Sequence, residues 1–153
     1  MVSKKKCTGC HMCELACSAQ HEAGYRPSVA LLHIDCNPTT AEIKGSTCLQ
    51  TGCAKCEEAC KEGAIWRKEI TTTVGDETTR GIVLAVDESK CTNCGDCYEV
   101  CPYGVIFEHP DRKKAIKCDL CDGDPQCWAF CQNPYVLAVS LKVDKADKAL
   151  AQA

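Results

Sequence analysis

Cysteine is the residue type with the most chemistry to offer in this chain, which has 17 cysteines among 153 residues. In one run, Cys91, Cys94, Cys97 and Cys101 precede Pro102 with the spacing C-x2-C-x2-C-x3-C-P. This spacing binds a cubane [4Fe–4S] cluster through its first three thiolates, while the fourth thiolate reaches a second cluster. The run therefore predicts a partner run elsewhere in the chain.

Three further runs end in the same x3-Cys step. They are Cys7, Cys10, Cys13 and Cys17; Cys48, Cys53, Cys56 and Cys60; and Cys118, Cys121, Cys127 and Cys131. Sixteen cysteines in four sets of four are the ligand count of four cubane clusters, whose chemistry is one-electron transfer. Because such clusters leave no iron open to a substrate, the sequence predicts a non-catalytic protein.

Three other uses of the cysteines compete with this interpretation. Structural zinc sites also use C-x2-C pairs, but they take two separated pairs per ion rather than four closely spaced cysteines. Disulfides are disfavoured because the cysteine count is odd and residues 1–7 contain no apolar signal segment. The second run opens with C-x4-C-x2-C, which is also the plant-type [2Fe–2S] spacing, although its x3 step to Cys60 favours a cubane.

The bulk composition suits a protein built around metal. Aromatic residues make up only 5% of the chain, so an ordinary apolar core would be thin. Metal binding would supply much of the folding free energy, and we expect the apo chain to be largely unstructured. The formal charge of −3 becomes about −11 once sixteen thiolates and four 2+ cores are counted. Such acidity disfavours nucleic acid and favours a basic protein surface as partner.

Location follows from two absences in the sequence. No apolar run approaches the length of a membrane span. The chain also shows no secretory or twin-arginine signal before the first run. The expected location is therefore the cytoplasm.

The secondary structure expected between the runs is short and irregular. The patterns predict a helix over 12–22, a strand over 29–36, a hairpin of 64–73 and 80–86, a short strand over 105–107, a closing strand over 135–143 and a helical or frayed tail over 144–153. Ligand loop, short helix and strand thus recur four times in two halves. The predicted fold class is α+β, with two fused bacterial-ferredoxin-like domains, small β-hairpins and short helices around the clusters.

Charged residues and one extra cysteine lie close to the ligands. Cys36, the seventeenth cysteine, is interpreted as a small buried thiol on a strand. Lys117 and Lys55 would raise the potentials of their clusters, unless they are merely solvated charges on ligand loops. The acidic residues that would lower potentials are Glu57, Glu58 and Asp96.

Histidines and aromatic residues have no assigned ligand role, because cysteine fills every predicted site. Surface or capping positions are expected for His11, His21, His33 and His109. Packing over the clusters and ordinary core packing account equally well for Trp66, Trp128 and Tyr98.

The runs also carry a resemblance to a known family. The segment CTNCGDCYEVCPYGVIFEHPDRKKAIKCDLC, together with CTGCHMCELAC at the first run, resembles the four-cluster iron–sulfur subunits of molybdenum and tungsten oxidoreductases. The resemblance implies that run one pairs with run four and run two with run three, each pair exchanging its last ligand. It also implies an outer domain of residues 1–44 plus 108–153, an inserted domain of residues 45–107, and a pseudo-two-fold relation between them.

The resemblance implies four ligand sets. The first cluster would take Cys7, Cys10, Cys13 and Cys131; the second Cys17, Cys118, Cys121 and Cys127; the third Cys48, Cys53, Cys56 and Cys101; and the fourth Cys60, Cys91, Cys94 and Cys97. The second run departs from the family, because the usual position of its second ligand holds Thr51 and Cys53 must replace it. Trp128 lies beside Cys127, whereas some relatives have tryptophan in place of a cysteine.

The implied function is electron transfer within a larger oxidoreductase. One partner would be a molybdenum or tungsten catalytic subunit, with an aldehyde-oxidising tungsten enzyme favoured. The other would be a second redox subunit, such as a flavin-containing one, or a soluble ferredoxin. Alternatives are a freely diffusing polyferredoxin and an electron-transfer subunit of a hydrogenase, formate dehydrogenase or carbon monoxide dehydrogenase. Clusters at both ends would also permit several copies to stack head to tail.

Overall fold

The computed structural model describes residues 7–50, 52–74 and 77–132. Within these residues lie four α-helices: α1 (Met12–Glu22), α2 (Lys55–Ala59), α3 (Asp96–Glu99) and α4 (Gln126–Ala129). Six strands form three separate antiparallel hairpins: β1 (Leu32–Cys36) with β2 (Ile43–Thr47), β3 (Ile65–Val74) with β4 (Glu77–Val86), and β5 (Ile106–Glu108) with β6 (Ala115–Lys117). The mixed α+β class agrees with the prediction.

The helices are organised around the cysteine runs. Helix α1 has the predicted bounds, with left-handed residues at both ends, His11 before it and Ala23 after it. Helices α2, α3 and α4 each carry the third cysteine of a run, namely Cys56, Cys97 and Cys127. Because helices this short are unstable alone, tertiary contacts or bound metal must hold them.

The hairpins differ in how well the sequence predicted them. Strands β3 and β4 pair along their whole length, from Ile65 opposite Val86 to Val74 opposite Glu77, and this confirms the predicted hairpin. Strand β1 begins later than expected because Pro27–Val29 forms a 3-10 turn. Strands β2 and β6 were not predicted. The predicted strand over 135–143 and tail over 144–153 lie outside the described residues.

Two small cores that contain cysteine lie in the described part of the molecule, beside a third core of Ile70, Val83 and Leu120. The first contains Cys17, Ala30, Leu31, Leu32, Ile34 and Ile116, and the second contains Cys56, Ala64, Ile65, Cys91, Cys97, Ile106 and Ala115. Both mix small apolar side chains with cysteine, as the composition predicted. Helix α1 packs against α4, and α2 packs against α3. The first run therefore faces the fourth, and the second run faces the third.

Candidate iron–sulfur cluster sites

One cavity is lined by cysteines of the second and third runs. Cys91, Cys94 and Cys97 come from the loop before α3 and from α3 itself, and Cys60 comes from the end of the second run. The apolar side chains of Ala64, Ile65, Val86 and Ala115 complete much of the wall. A cavity with four thiols in an apolar wall has the donor set that a [4Fe–4S] cluster needs.

A second cavity repeats this arrangement with the roles of the two runs exchanged. Its cysteines are Cys48, Cys53 and Cys56 from the second run and Cys101 from the third. Its wall differs in charge, because Lys55 and Lys117 line it. Each cavity is thus lined by three cysteines of one run and the last cysteine of the other run.

The first and fourth runs also meet. Cys7, Cys13, Cys118, Cys127 and Cys131 all pack against the core that contains Cys17. Cys10 is exposed, as are Cys53 and Cys94 at the corresponding positions of the next two runs. The cysteine side chains thus range from buried to exposed.

Burial and neighbouring thiols raise the pKa values of cysteines at the first and fourth runs. Burial raises the pKa of Cys17 to about 12, with the amide of Leu31 opposing the rise and Cys118 and Cys121 adding to it. Burial likewise raises the pKa of Cys121 to about 12. The pKa of Cys127 is raised by burial and by the charges of Cys118, Cys121, Cys17 and Cys13. Since metal binds the thiolate, loading this site must release protons.

The same effect recurs at two other ligands. Burial raises the pKa of Cys13 to about 11, with Glu14 adding to it. Burial also raises the pKa of Cys97 to about 11, and Cys91 and Cys94 contribute next. Metal-free thiols at these positions are therefore neutral near pH 7.

A repeated turn follows the second and third runs. Cys60 is followed by Gly63, and Cys101 by Gly104, both with left-handed φ values of 59° and 57°. Each turn brings the next amide onto the sulfur, from Ala64 to Cys60 at 3.2 Å and from Val105 to Cys101 at 3.5 Å. Such N–H donors stabilise a thiolate and tune cluster potential. The repeated C-x-x-G could have revealed this turn in the sequence.

Comparison with known proteins assigns the chain. Residues 47–105, which contain the second and third runs, match the family described as a 4Fe-4S dicluster domain. The chain is 30% identical over 133 residues to the polyferredoxin-like subunit of the aliphatic sulfonate oxidoreductase of Pyrococcus furiosus, spanning 87% of this chain and 70% of that protein. The chain belongs to the polyferredoxin-type electron-transfer subunits.

Two further relatives agree with this assignment. The electron transport protein HydN of Escherichia coli (strain K12) is 29% identical over 157 residues, with 88% of this chain and 83% of HydN covered. The uncharacterized ferredoxin-like protein YdhX of Escherichia coli O157:H7 is 33% identical over 123 residues, with 77% of this chain but only 50% of YdhX covered. A polyferredoxin-type subunit uses [4Fe–4S] clusters, which disfavours the zinc and disulfide alternatives. The dicluster match disfavours [2Fe–2S] at the second run.

Three residues differ from their predicted surroundings. Cys36 lies on strand β1 as expected, but it is exposed rather than buried, and a side chain at Gly9 would meet its sulfur at 2.6 Å. His109 is only 1% exposed, so a surface position is wrong, although its Nδ1 caps a turn by accepting from two amides. Lys117 is only 4% exposed, so a solvated charge is wrong there, whereas Lys55 is exposed.

Two side chains near the ligands had no sequence signal. His21 Nε2 lies 3.6 Å from Cys121 Sγ and 3.5 Å from an Asp119 oxygen, so the three side chains form a set that could itself hold a metal ion. The Gln50 amide bonds both the amide and carbonyl of Leu84 and the carbonyl of Cys118. Only long-range packing brings these groups to the sites.

Two of the three aromatic residues near the ligands pack in the interior, and Trp66 does not. Trp128 packs against the first core and Tyr98 against the second, where its hydroxyl donates to Asn93. Trp66 is 45% exposed.

In the described part of the chain, no helix combines the length and apolar character needed to cross a bilayer.

Proposed function

We propose that this polyferredoxin-type subunit carries electrons through four [4Fe–4S] clusters between a molybdenum or tungsten catalytic subunit and a second redox subunit or soluble acceptor. The observation that carries the proposal is the pair of cavities that are each lined by four cysteines from two runs. Three cysteines of one run and one of the other is the pattern expected when two runs exchange their last ligand.

The proposed ligand sets are those implied by the family. Cluster one would be held by Cys7, Cys10, Cys13 and Cys131; cluster two by Cys17, Cys118, Cys121 and Cys127; cluster three by Cys48, Cys53, Cys56 and Cys101; and cluster four by Cys60, Cys91, Cys94 and Cys97. When bound, each cubane supplies one-electron chemistry between 2+ and 1+ states. The chain would hold the clusters through these cysteines. Backbone N–H groups donate hydrogen bonds to the sulfurs of Cys17, Cys60, Cys91 and Cys101.

Two ferredoxin-like domains are the proposed arrangement. Residues 45–107 would hold the clusters of runs two and three, and residues 1–44 with 108–153 would hold those of runs one and four. The packing of α2 on α3 and of α1 on α4 supports these pairs. Four clusters in two such domains would form one row, so electrons can enter at one end and leave at the other.

The catalytic partner is proposed from the kind of protein to which this chain is similar. The relative in Pyrococcus furiosus is by name a subunit of an oxidoreductase, which supports a catalytic partner here. Our leading candidate for this partner is an aldehyde-oxidising tungsten enzyme. We place the complex in the cytoplasm, because sixteen cysteines proposed as thiolate ligands need a compartment that keeps thiols reduced.

Anaerobic purification tests both parts of the proposal. We expect about sixteen iron and sixteen sulfide per chain, as four cubane clusters require, and a stoichiometric large subunit that contains molybdenum or tungsten. Zinc, or about half that iron, would refute four clusters. A lone monomer with full iron would instead support the freely diffusing polyferredoxin.

A further inference from the structure

The inference concerns Lys117, the last residue of strand β6. Its side chain is only 4% exposed, although lysine is rarely buried without a partner. Its ammonium donates to two backbone carbonyls, those of Leu84 and Cys118. None of the ion pairs found among residues 7–50, 52–74 and 77–132 includes Lys117. A buried cation held only by neutral carbonyls requires an anionic neighbour.

The cavity of the proposed third cluster supplies that neighbour. Lys117 lines the cavity formed by Cys48, Cys53, Cys56 and Cys101. Four thiolates around a 2+ core leave a net charge of about −2. The buried lysine and the proposed cluster therefore compensate each other.

Lys117 is also held in place. The Gln50 amide binds the same two carbonyls, of Leu84 and Cys118, and its oxygen accepts from the Leu84 amide. Strand β4, strand β6 and the fourth run are thus tied together around the ammonium. A charge fixed in a low-dielectric interior acts strongly on its neighbour, because the side chain cannot move away and water does not screen it.

The fourth-cluster cavity offers an internal comparison. It has the same three-plus-one cysteine pattern and the same Cys-x-x-Gly turn, yet its lining contains no lysine or arginine and includes Glu62. Lys114 donates to the carbonyl of Cys91 but is only half-buried and does not line the cavity. The two cavities therefore differ chiefly in buried positive charge.

We propose that buried Lys117 raises the reduction potential of the cluster held by Cys48, Cys53, Cys56 and Cys101 above that of the cluster held by Cys60, Cys91, Cys94 and Cys97. Reduction adds one electron to an already anionic group, and a fixed neighbouring cation favours it. An electron passing along the chain would then rest at the third cluster rather than the fourth. This inference rests on the proposed function, since it requires both clusters.

The test is an anaerobic redox titration of the holoprotein followed by electron paramagnetic resonance. In Lys117→Gln, we expect the reduction equilibrium constant of one cluster to fall at least tenfold, which is about 59 mV for one electron. The affected signal should be the one that Cys53→Ser alters. Lys55→Gln is the matched control, because it removes the same charge from the same cavity at an exposed position, and it should change every cluster less than about threefold.

Further variants separate charge from packing. Lys117→Arg keeps a cation and should stay within about threefold of the wild type. If Lys117→Gln holds less iron, Lys117→Met keeps the unbranched chain and replaces it in the titration. Loss of iron from the Gln and Met variants but not from the Arg variant also supports the proposal, because the Arg variant alone keeps the positive charge. Loss of iron from all three variants overturns it.

Two results would overturn the inference in different ways. Unchanged potentials in fully loaded Lys117→Gln, or equal shifts in Lys117→Gln and Lys55→Gln, refute the role of Lys117 and leave the electron-transfer function standing. Wild-type protein with fewer than four clusters refutes the proposed function itself. Iron and sulfide are therefore measured on the wild type before any variant is titrated.

Discussion

At the scale of single residues, Cys36 is the cysteine that the four runs leave over. It is exposed at the end of β1, and its sulfur packs against Gly9 in the first ligand loop. We expect Cys36→Ala to keep the iron content and to change the free energy of unfolding by only about 0.5 kcal/mol, as surface substitutions usually do. Iron analysis of the anaerobic protein checks this.

The control for Cys36 is another exposed cysteine. Cys53→Ser removes a proposed ligand of the third cluster, so we expect iron loss or an altered signal there, in contrast to Cys36→Ala. Equal iron loss in the two variants would show that Cys36 is also a ligand and that sixteen cysteines are not the full set.

Burial of single residues was the hardest property to predict from the sequence. Lys113, Lys114 and Lys117 occur close together, and nothing local distinguishes them, yet Lys113 is exposed and Lys117 is buried. The difference arises because Lys117 ends β6, where Leu84 and Cys118 offer their carbonyls. Long-range packing of this kind has no counterpart in spacing or composition, whereas the ligand spacing of the cysteines is a local property.

At the scale of elements, Glu22 connects the end of α1 to the turn between β5 and β6. Its carboxylate lies 2.6 Å from Arg112 and 3.2 Å from buried His109, although the His109 N–H is not aligned for a full hydrogen bond. Burial alone would raise the pKa of Glu22, but Arg112 and His109 outweigh it and the pKa is lowered.

The lowered pKa gives a pH prediction. A carboxyl whose folded pKa lies below its unfolded value of about 4.3 contributes its full stability above that value and loses it as pH falls through the folded pKa. We expect Glu22→Gln to destabilise the holoprotein by about 1–3 kcal/mol, because buried His109 loses its anionic neighbour. The loss should persist from pH 8 to pH 6 in guanidinium unfolding, because the Glu22 carboxylate stays charged over that range.

A nearby exposed pair is the control for Glu22. Asp111 bonds Arg26 at 2.7 Å, but both side chains are largely exposed. Asp111→Asn should therefore change stability little. A Glu22→Gln effect that fades between pH 8 and pH 6 would contradict the assignment, because the Glu22 carboxylate does not titrate in that range.

The turn Leu120–Gly123 packs closely on strand β3. Gly123 has a φ of 108°, and a Cβ there would lie 2.1 Å from the Thr71 carbonyl oxygen, a backbone atom that cannot move aside. We expect Gly123→Ala to cost about 2–4 kcal/mol. It should also loosen iron at the second cluster, since Cys121 lies within this turn. Chemical unfolding and iron analysis measure the two effects.

Gly63 separates backbone strain from the clash. Its φ is 59°, and a Cβ there would meet no atom within 4 Å. Gly63→Ala should therefore cost only the strain of a left-handed residue, about 1–2 kcal/mol. If Gly63→Ala and Gly123→Ala were equally destabilised, the contact with Thr71 would not be the cause.

Elements were predictable where the sequence itself specified them. Helix α1 and the β3–β4 hairpin were predicted, because a cysteine-bearing helix and β-branched strands have local signals. Strand β2 was missed because Gly45 and Ser46 are poor strand formers, and it exists because β1 pairs with it. Strand β6 has only three residues, too few for a periodic signal.

At the scale of the whole molecule, the pairing of runs could not follow from spacing alone. Spacing predicts that each run sends its last thiol to a neighbour, but it does not say which neighbour. The structure brings Cys60 to the third run and Cys101 to the second. From the sequence, only the family resemblance could propose which runs exchange ligands, and that exchange stays a prediction.

The two cores determine what should happen when metal is removed. Each consists of few apolar side chains together with cysteines, and α2, α3 and α4 are only four or five residues long. Neither short helices nor isolated hairpins are stable in water without a supporting core. We therefore expect anaerobic removal of iron by a chelator to abolish most of the far-UV circular dichroism and the cooperative thermal transition.

Reconstitution decides whether metal or the chain carries that stability. Free thiols, with an ordinary pKa of about 8.5, are mostly protonated near pH 7 in an unfolded metal-free chain, and iron must displace those protons when it binds. Adding iron and sulfide should therefore restore the dichroism in proportion to the iron bound. A metal-free chain that keeps its dichroism and unfolds cooperatively would show that the small cores stabilise the fold by themselves. The fold would then not depend on the clusters.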